Sequence, residues 1–122
     1  MKNILFVCLL IFSNNIKAEW VNFATLGNGD VLFFDKGSIQ KNGNSLTVWT
    51  RIQYKNSVMG ALSYQNFIKI DCSEYSTITL QSTYYIDSNW STPAMATDTK
   101  EKPKVYITTN SSGELLANLL CE

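Results

Sequence analysis

Ser111-Ser112-Gly113-Glu114-Leu115-Leu116-Ala117-Asn118-Leu119-Leu120-Cys121-Glu122 is the stretch that decides the fold. Ser111, followed three positions on by Glu114, matches a capping box, in which a hydroxyl and a carboxylate satisfy the free N–H groups of a helix's first turn. Leu116 and Leu120 fall one turn apart, with Leu115 and Leu119 beside them, so one face is apolar. A helix this short is unstable alone in water and needs an external hold. Cys121 supplies it through a disulfide to Cys72, the other cysteine expected in the exported chain. On an ideal helix Cys121 lies nearly opposite the leucine stripe, so the helix is expected to end by Leu120 and let the last residues swing back.

That pairing depends on the other end of the sequence. Lys2, the apolar run from Ile4 to Phe12, the polar Asn14, Asn15 and Lys17, and the small Ala18 have the order of a secretory signal. Residues 1–18 are therefore predicted to be a signal peptide cut between Ala18 and Glu19, with residues 19–122 forming one domain. The apolar run is shorter than the roughly 20 residues a membrane span needs, so no transmembrane segment is expected after its removal. Cys8 lies inside the run rather than after small residues at its end, and no lipid attachment is expected there. Cleavage leaves eight basic and ten acidic residues, a formal charge of −2, and an even pair of cysteines. No clustered basic surface is present to suit nucleic acid. A domain of about 104 residues buries somewhat over 60% of its unfolded surface, and one disulfide is ordinary in an exported chain of that size. Closing a loop of about 50 residues contributes roughly 4 kcal/mol if the effect is mainly chain entropy.

Between these ends the chain reads as strands. Trp20 to Thr25 is a first strand, Gly27-Asn28-Gly29 a tight turn, and Asp30 to Asp35 a second strand apolar on both faces and therefore well covered. Asn42-Gly43 is a hairpin signal. A two-residue turn sets Ile39 opposite Leu46, and a three-residue loop sets Gln40 there; the apolar pairing favours the first. Ser45 to Tyr54 alternates clearly, with Leu46, Val48, Ile52 and Tyr54 on one face and Thr47, Trp49, Arg51 and Gln53 on the other. Lys55 to Ser63 reads as a loop, and Phe67 to Cys72 as a strand with Ile68, Ile70 and Cys72 on the core face. Tyr75 to Ile86 reads as a long strand with Ile78, Leu80, Tyr84 and Ile86 inward. Trp90 could open a short strand, Thr92 to Lys104 reads as a surface loop, and Val105 to Ile107 as a last strand. The fold class is α+β, a single antiparallel sheet of about six strands with a C-terminal helix tethered by the disulfide.

The side chains of common enzyme sites are sparse. No histidine occurs, which removes Ser-His-Asp and Cys-His machinery and the commonest metal ligand. The glycines are spaced as turns rather than as a phosphate cradle. Asp30, Asp35, Asp71 and Asp87 are candidates for a glycosidase pair, although aspartate at strand ends is ordinary turn chemistry. No catalytic residue, metal ligand or cofactor is expected. Asn89-Trp90-Ser91 and Asn110-Ser111-Ser112 match glycosylation sequons, which matter in a eukaryotic secretory pathway. Trp49 interrupts an otherwise polar face. It either packs under a loop or across to Arg51, or it is an exposed anchor for a partner, since tryptophan and arginine are enriched at binding hot spots.

Trp20, Phe34-Asp35 with Ser38-Ile39, Val48-Trp49, Ile70-Asp71-Cys72, Tyr84-Tyr85 and Leu119-Leu120-Cys121 occur in an order that resembles the surface-adhesin protein E family over nearly all of residues 20–122. The resemblance implies an antiparallel sheet with a C-terminal helix held by that disulfide. It also implies a bacterial, exported protein, periplasmic or at the cell surface, whose partners are host matrix proteins or envelope proteins. The shared positions are structural, so no binding residue carries over.

Two functions follow from the residues and the resemblance together. One is a non-enzymatic protein-binding domain using the face with Trp49 and Arg51. The other is a periplasmic inhibitor or immunity-type protein that blocks an envelope hydrolase with the Thr92–Lys104 loop. Oligomeric state is not legible at this level.

Overall fold

Apolar runs with a period of two, broken by glycine, asparagine and aspartate, fold here into strands, and the capping signal near the C-terminus starts a helix. The computed structural model describes residues 17–121; the basic start, the apolar run and Cys8 of the predicted signal lie outside the described residues. The strands are β1 (Trp20–Thr25), β2 (Val31–Asp35), β3 (Gln40–Asn42), β4 (Ser45–Val58), β5 (Ala61–Asp71), β6 (Ser76–Tyr85), β7 (Ala96–Asp98) and β8 (Val105–Tyr106), followed by helix α1 (Ser112–Leu120). All eight strands join one sheet in the order β1-β2-β4-β5-β6-β7, with β3 also beside β4 and β8 also beside β6. Every pairing is antiparallel. The count exceeds the expected six because β3 and β7 are three residues long, too short to show an alternating pattern, while β8 is the last strand expected at Val105.

Several registers differ from expectation, each for a local reason. The β3–β4 turn pairs Asn42 with Ser45 and Lys41 with Leu46, two residues along from the predicted Ile39–Leu46 pairing, because the two turn residues are Gly43 and Asn44 rather than Asn42 and Gly43. Gly43 takes the positive φ of 63° as the first central residue, and the Asn44 carbonyl accepts from Cys72 N–H at 2.8 Å, which fixes the shifted turn. Lys55 to Ser63 is not a loop: β4 runs to Val58, and Met59 and Gly60, at φ 52° and 86°, turn the chain directly into β5. Methionine rarely takes that conformation, so the turn had no compositional signature. In β6 a bulge opposite Phe67 and Ile68 changes the alternation. Thr77 and Thr79 pair with Ile70 and Ile68, while Ile78 pairs with Lys69 on the other face and Ile86 is exposed. Of the four residues expected inward on this strand, Tyr84 keeps that side, across from Tyr64.

Helix α1 lies across one face of the sheet. Leu116, Ala117 and Leu120 are buried against Phe34, Leu46, Val48 and Ile70, with Val21, Phe23, Ile39, Ile68, Cys72 and Ile107 at the margin. Burying a side chain of that size contributes about 1.5–3 kcal/mol. Leu115 and Leu119 are about half exposed, at 49% and 53%, so the apolar stripe is narrower than the leucine run implies. The capping box forms with a variation. Ser111 Oγ accepts from Glu114 N–H at 3.1 Å, and Glu114 Oε1 reaches back to the N–H of Asn110, also at 3.1 Å. The helix ends at Leu120, as the geometry of Cys121 requires. Cys121 leaves the helical conformation (φ −94°, ψ 47°) and bonds to Cys72, 49 positions earlier, across a Cα–Cα distance of 5.6 Å.

The disulfide and the helix face give two stability tests. Replacing both Cys72 and Cys121 by serine should lower the unfolding free energy by about 4 kcal/mol, measured by denaturant melts, and reductant should do the same to the unmodified protein. Leu116→Ala should cost about 2–5 kcal/mol, whereas Leu119→Ala should stay within about 0.5 kcal/mol.

Candidate functional site

The helix covers one face of the sheet and leaves the other for chemistry. Register decides which residues share that second face. Trp20 and Asn22 lie opposite Asp35 and Phe33, Phe33 opposite Arg51, Arg51 opposite Gln65, and Trp49 opposite Phe67. A band of aromatic side chains therefore crosses β1, β2, β4 and β5.

Arg51 is at its centre. Its guanidinium carbon lies 4.0 Å from the centroid of the Trp20 ring and 4.6 Å from that of Trp90, so two indoles flank the cation. Its Nε–H donates to Gln65 Oε1 at 2.8 Å. Burial lowers the pKa of Arg51 from its ordinary value, opposed by Tyr85 and by Asp35. The carboxylate of Asp35 is itself committed, accepting from the N–H groups of Glu19 at 2.7 Å and Gly37 at 3.0 Å.

Trp90 arrives from a loop rather than opening a strand. It sits at φ 55°, unusual for a bulky residue, in a turn organised by Asp87. Asp87 Oδ2 accepts from Ser91 N–H and Oγ at 3.1 and 2.6 Å, and Oδ1 accepts from Thr92 Oγ1 at 2.8 Å. Those bonds, Ser91's first, hold the Asp87 carboxyl far below the usual carboxylate range. Ser63 Oγ donates to the Asp87 carbonyl at 2.6 Å and Gln53 Nε2 to that of Ser88 at 3.1 Å, tying the turn to the sheet. The Trp90 indole N–H donates to the Tyr64 carbonyl at 3.3 Å, and its ring meets Phe33 edge-on at 5.9 Å.

Trp49 does not pack across to Arg51. It stacks obliquely on Phe67, with centroids 4.8 Å apart. Its backbone N–H, in the gap that β2 and β3 leave along β4, donates to Ser38 Oγ at 2.9 Å. The sequence pointed to Trp49 and Arg51 but missed Trp20, Phe33, Phe67 and Trp90. Matching strand parity gave a partial signal for Trp20 and Phe33; nothing local marks Trp90, which a turn delivers.

The four aspartates singled out as an acid–base pair serve as turn ties. Asp30 accepts from Lys55 N–H at 2.9 Å and from the Asn28 amide at 3.1 Å. Asp71 accepts from Glu74 and Ser73, Glu74's N–H being the largest influence, and its pKa falls below the usual range. A glycosidase acid needs the opposite shift. Among the described residues, no group of cysteine, aspartate and glutamate is placed to hold a metal ion. Nor is there a helix among them long and apolar enough to cross a membrane. The Thr92–Lys104 segment does not stand clear of the domain. Met95 N–H donates to the Tyr84 carbonyl, β7 pairs with β6, and Lys102 N–H donates to the Thr79 carbonyl. An exposed apolar surface also lies at the β4–β5 turn, where Tyr54, Val58, Met59, Tyr84 and Met95 line a hollow of about 350 Å³.

Residues 20–122 match the family described as surface-adhesin protein E. In three dimensions the chain resembles the crystal structure of protein E from non-typeable Haemophilus influenzae, with a TM-score of 0.66 at 12% identity, covering 88% of this chain and 78% of that one. A second crystal form of Haemophilus influenzae protein E gives 0.65 at 14% identity, covering 88% of this chain and 90% of the other. At such identities the likeness is one of fold. No curated protein sequence is significantly similar to the chain.

The tyrosines beside the hollow yield a pH test. Tyr54, Tyr64 and Tyr84 stack with centroids 5.8 and 5.3 Å apart. Burial, then the neighbouring phenols, pushes the Tyr54 pKa up to about 12 from 10.0. A folded pKa above the unfolded one means the fold favours the neutral phenol. Its stabilisation is full below pH 10.0 and is lost as pH rises through about 12. Phenolate absorbance should show Tyr54 ionising late, and Tyr54→Phe should flatten the loss of stability over that window.

Proposed function

The chain belongs to the surface-adhesin protein E family, and from that membership we propose that it is an exported, non-enzymatic domain that binds proteins through the sheet face carrying Trp49 and Arg51. The supporting observation is the packing of that face. All three tryptophans of the sequence share the side the helix leaves open, Trp20 and Trp90 against Arg51, with Phe33 meeting Trp90 and Phe67 stacking on Trp49. Tryptophan and arginine are enriched among the side chains that dominate binding energy, tryptophan because it offers large rigid area with two torsions and arginine because its planar fork donates several hydrogen bonds. The partner class is a host matrix protein or another envelope protein. Residues 1–18 act as the signal peptide, cut between Ala18 and Glu19.

The inhibitor reading is the weaker of the two, since the Thr92–Lys104 segment is pinned along β6 rather than free to enter a cleft.

The double substitution Trp49→Ala/Arg51→Ala is the test. Binding to immobilised matrix proteins should fall by more than about tenfold while the circular dichroism spectrum is kept, the loss of the Phe67 stacking costing about 0.5–1.5 kcal/mol. Unchanged binding would remove this face from consideration. Protease treatment of intact cells separates the two locations: digestion means surface display, and protection until the envelope is opened means a periplasmic domain.

A further inference from the structure

Two indoles lie against the Arg51 guanidinium, with centroids 4.0 and 4.6 Å from its central carbon, and its Nη edge is the part left to act. Nε uses one N–H on Gln65. The two Nη nitrogens donate to no side chain or backbone oxygen among the described residues, and Arg51 belongs to no ion pair there. A guanidinium edge with parallel N–H donors matches a carboxylate, which accepts two such bonds in one plane. The geometry is fixed in advance. Gln65 holds the near end, and Trp90 is held against the guanidinium by a strained backbone, the Asp87 turn and its indole bond to Tyr64. A side chain already immobilised loses little further entropy on binding.

Trp49 stands two residues away on the same strand and face, which in extended chain is about 6–7 Å along the strand. It and Phe67 form an apolar step beside the cation. An extended peptide with an acidic side chain at one position and a large apolar side chain two positions away presents both at the same spacing.

We infer that the Trp20–Arg51–Trp90 sandwich is a carboxylate slot that reads a glutamate or aspartate side chain of an extended protein segment, with an apolar neighbour two residues on seated against Trp49 and Phe67. This rests on the protein-binding role of the face and specifies its ligand. Asp35, the acidic group beside Arg51, accepts two backbone N–H groups on Oδ1 and makes no ion pair with Arg51, so it does not occupy the slot. Its charge and the formal −2 of the exported chain weaken long-range attraction for an acid, which leaves selectivity to the paired short bonds.

The probe is a blocked hexapeptide with glutamate two positions from phenylalanine, beside its glutamine counterpart and sodium acetate, titrated into the purified protein. The readout is the NMR shift of the Arg51 Nε–H and of the Trp20 and Trp90 indole N–H signals. The glutamate peptide should shift all three saturably and bind at least about tenfold more tightly than the glutamine peptide, the usual worth of a charge-assisted pair. Arg51→Lys keeps the charge but loses the planar fork and should lose that preference, with an unchanged melting temperature showing that the fold survives. Equal binding of the two peptides, or a preference that survives Arg51→Lys, would overturn the slot. Acetate matching the peptide would also overturn it, since a free-anion site needs no segment. Matrix-protein binding that depends on Trp49 and Arg51 without any glutamate preference leaves the binding face standing and removes this inference alone.

Discussion

Docking a nine-residue helix against a sheet is the constraint on which the structure depends. A helix of that length has no independent stability, and its buried side consists of Leu116, Ala117 and Leu120. Three other elements make the docking work. The cap at Ser111 sets where the helix starts, the core side chains of β2, β4 and β5 receive its face, and Cys121 locks its end to the end of β5. Cys72 lies just past β5 with its N–H on the Asn44 carbonyl, so the covalent lock also borders the β3–β4 turn. A bond at the end of the helix is thus anchored beside the β3–β4 hairpin.

Covering one side of the sheet determines the character of the other. The helix side is filled by aliphatic side chains and two phenylalanines, and beyond the helix by stacked tyrosines. The opposite side has no secondary-structure element over it among the described residues, yet its aromatic side chains are not fully bared. They shield one another and the arginine, which is how a sheet can carry apolar area on a solvent face without a second layer. The edges are managed in a comparable way. Both flanks of the central strands are lined by short strands end to end, β2 with β3 along β4 and β7 with β8 along β6.

Much of this was legible from the residues. The serine and glutamate of the capping box, the alternation in Ser45–Tyr54 and the two cysteines left after the predicted signal were enough to give an antiparallel sheet, a terminal helix and the bond between them. What escaped was information that resides in pairs rather than in runs. A bulge in β6 moved Ile78 to the other face, and no composition announces a bulge. Met59 sits where asparagine or glycine is expected, so a hairpin passed for a loop. The candidate site was half visible for the same reason. Trp49 and Arg51 break an alternating strand and draw notice, whereas Trp20 reaches Arg51 through two strand registers and Trp90 through a turn built on Asp87.

The small size of the core has an evolutionary consequence. Seven buried apolar side chains, four from the sheet and three from the helix, form the central cluster, and much of the remaining fold is held by main-chain pairing, which is indifferent to side-chain identity. Such a scaffold constrains few positions. Chains only 12–14% identical can share this fold with TM-scores near 0.65, because changes elsewhere cost little. The open face is the part least tied to that inheritance. Relatives can therefore share a shape by descent while each acquires its own ligand, and the ancestry of the framework says little about what any one descendant recognises.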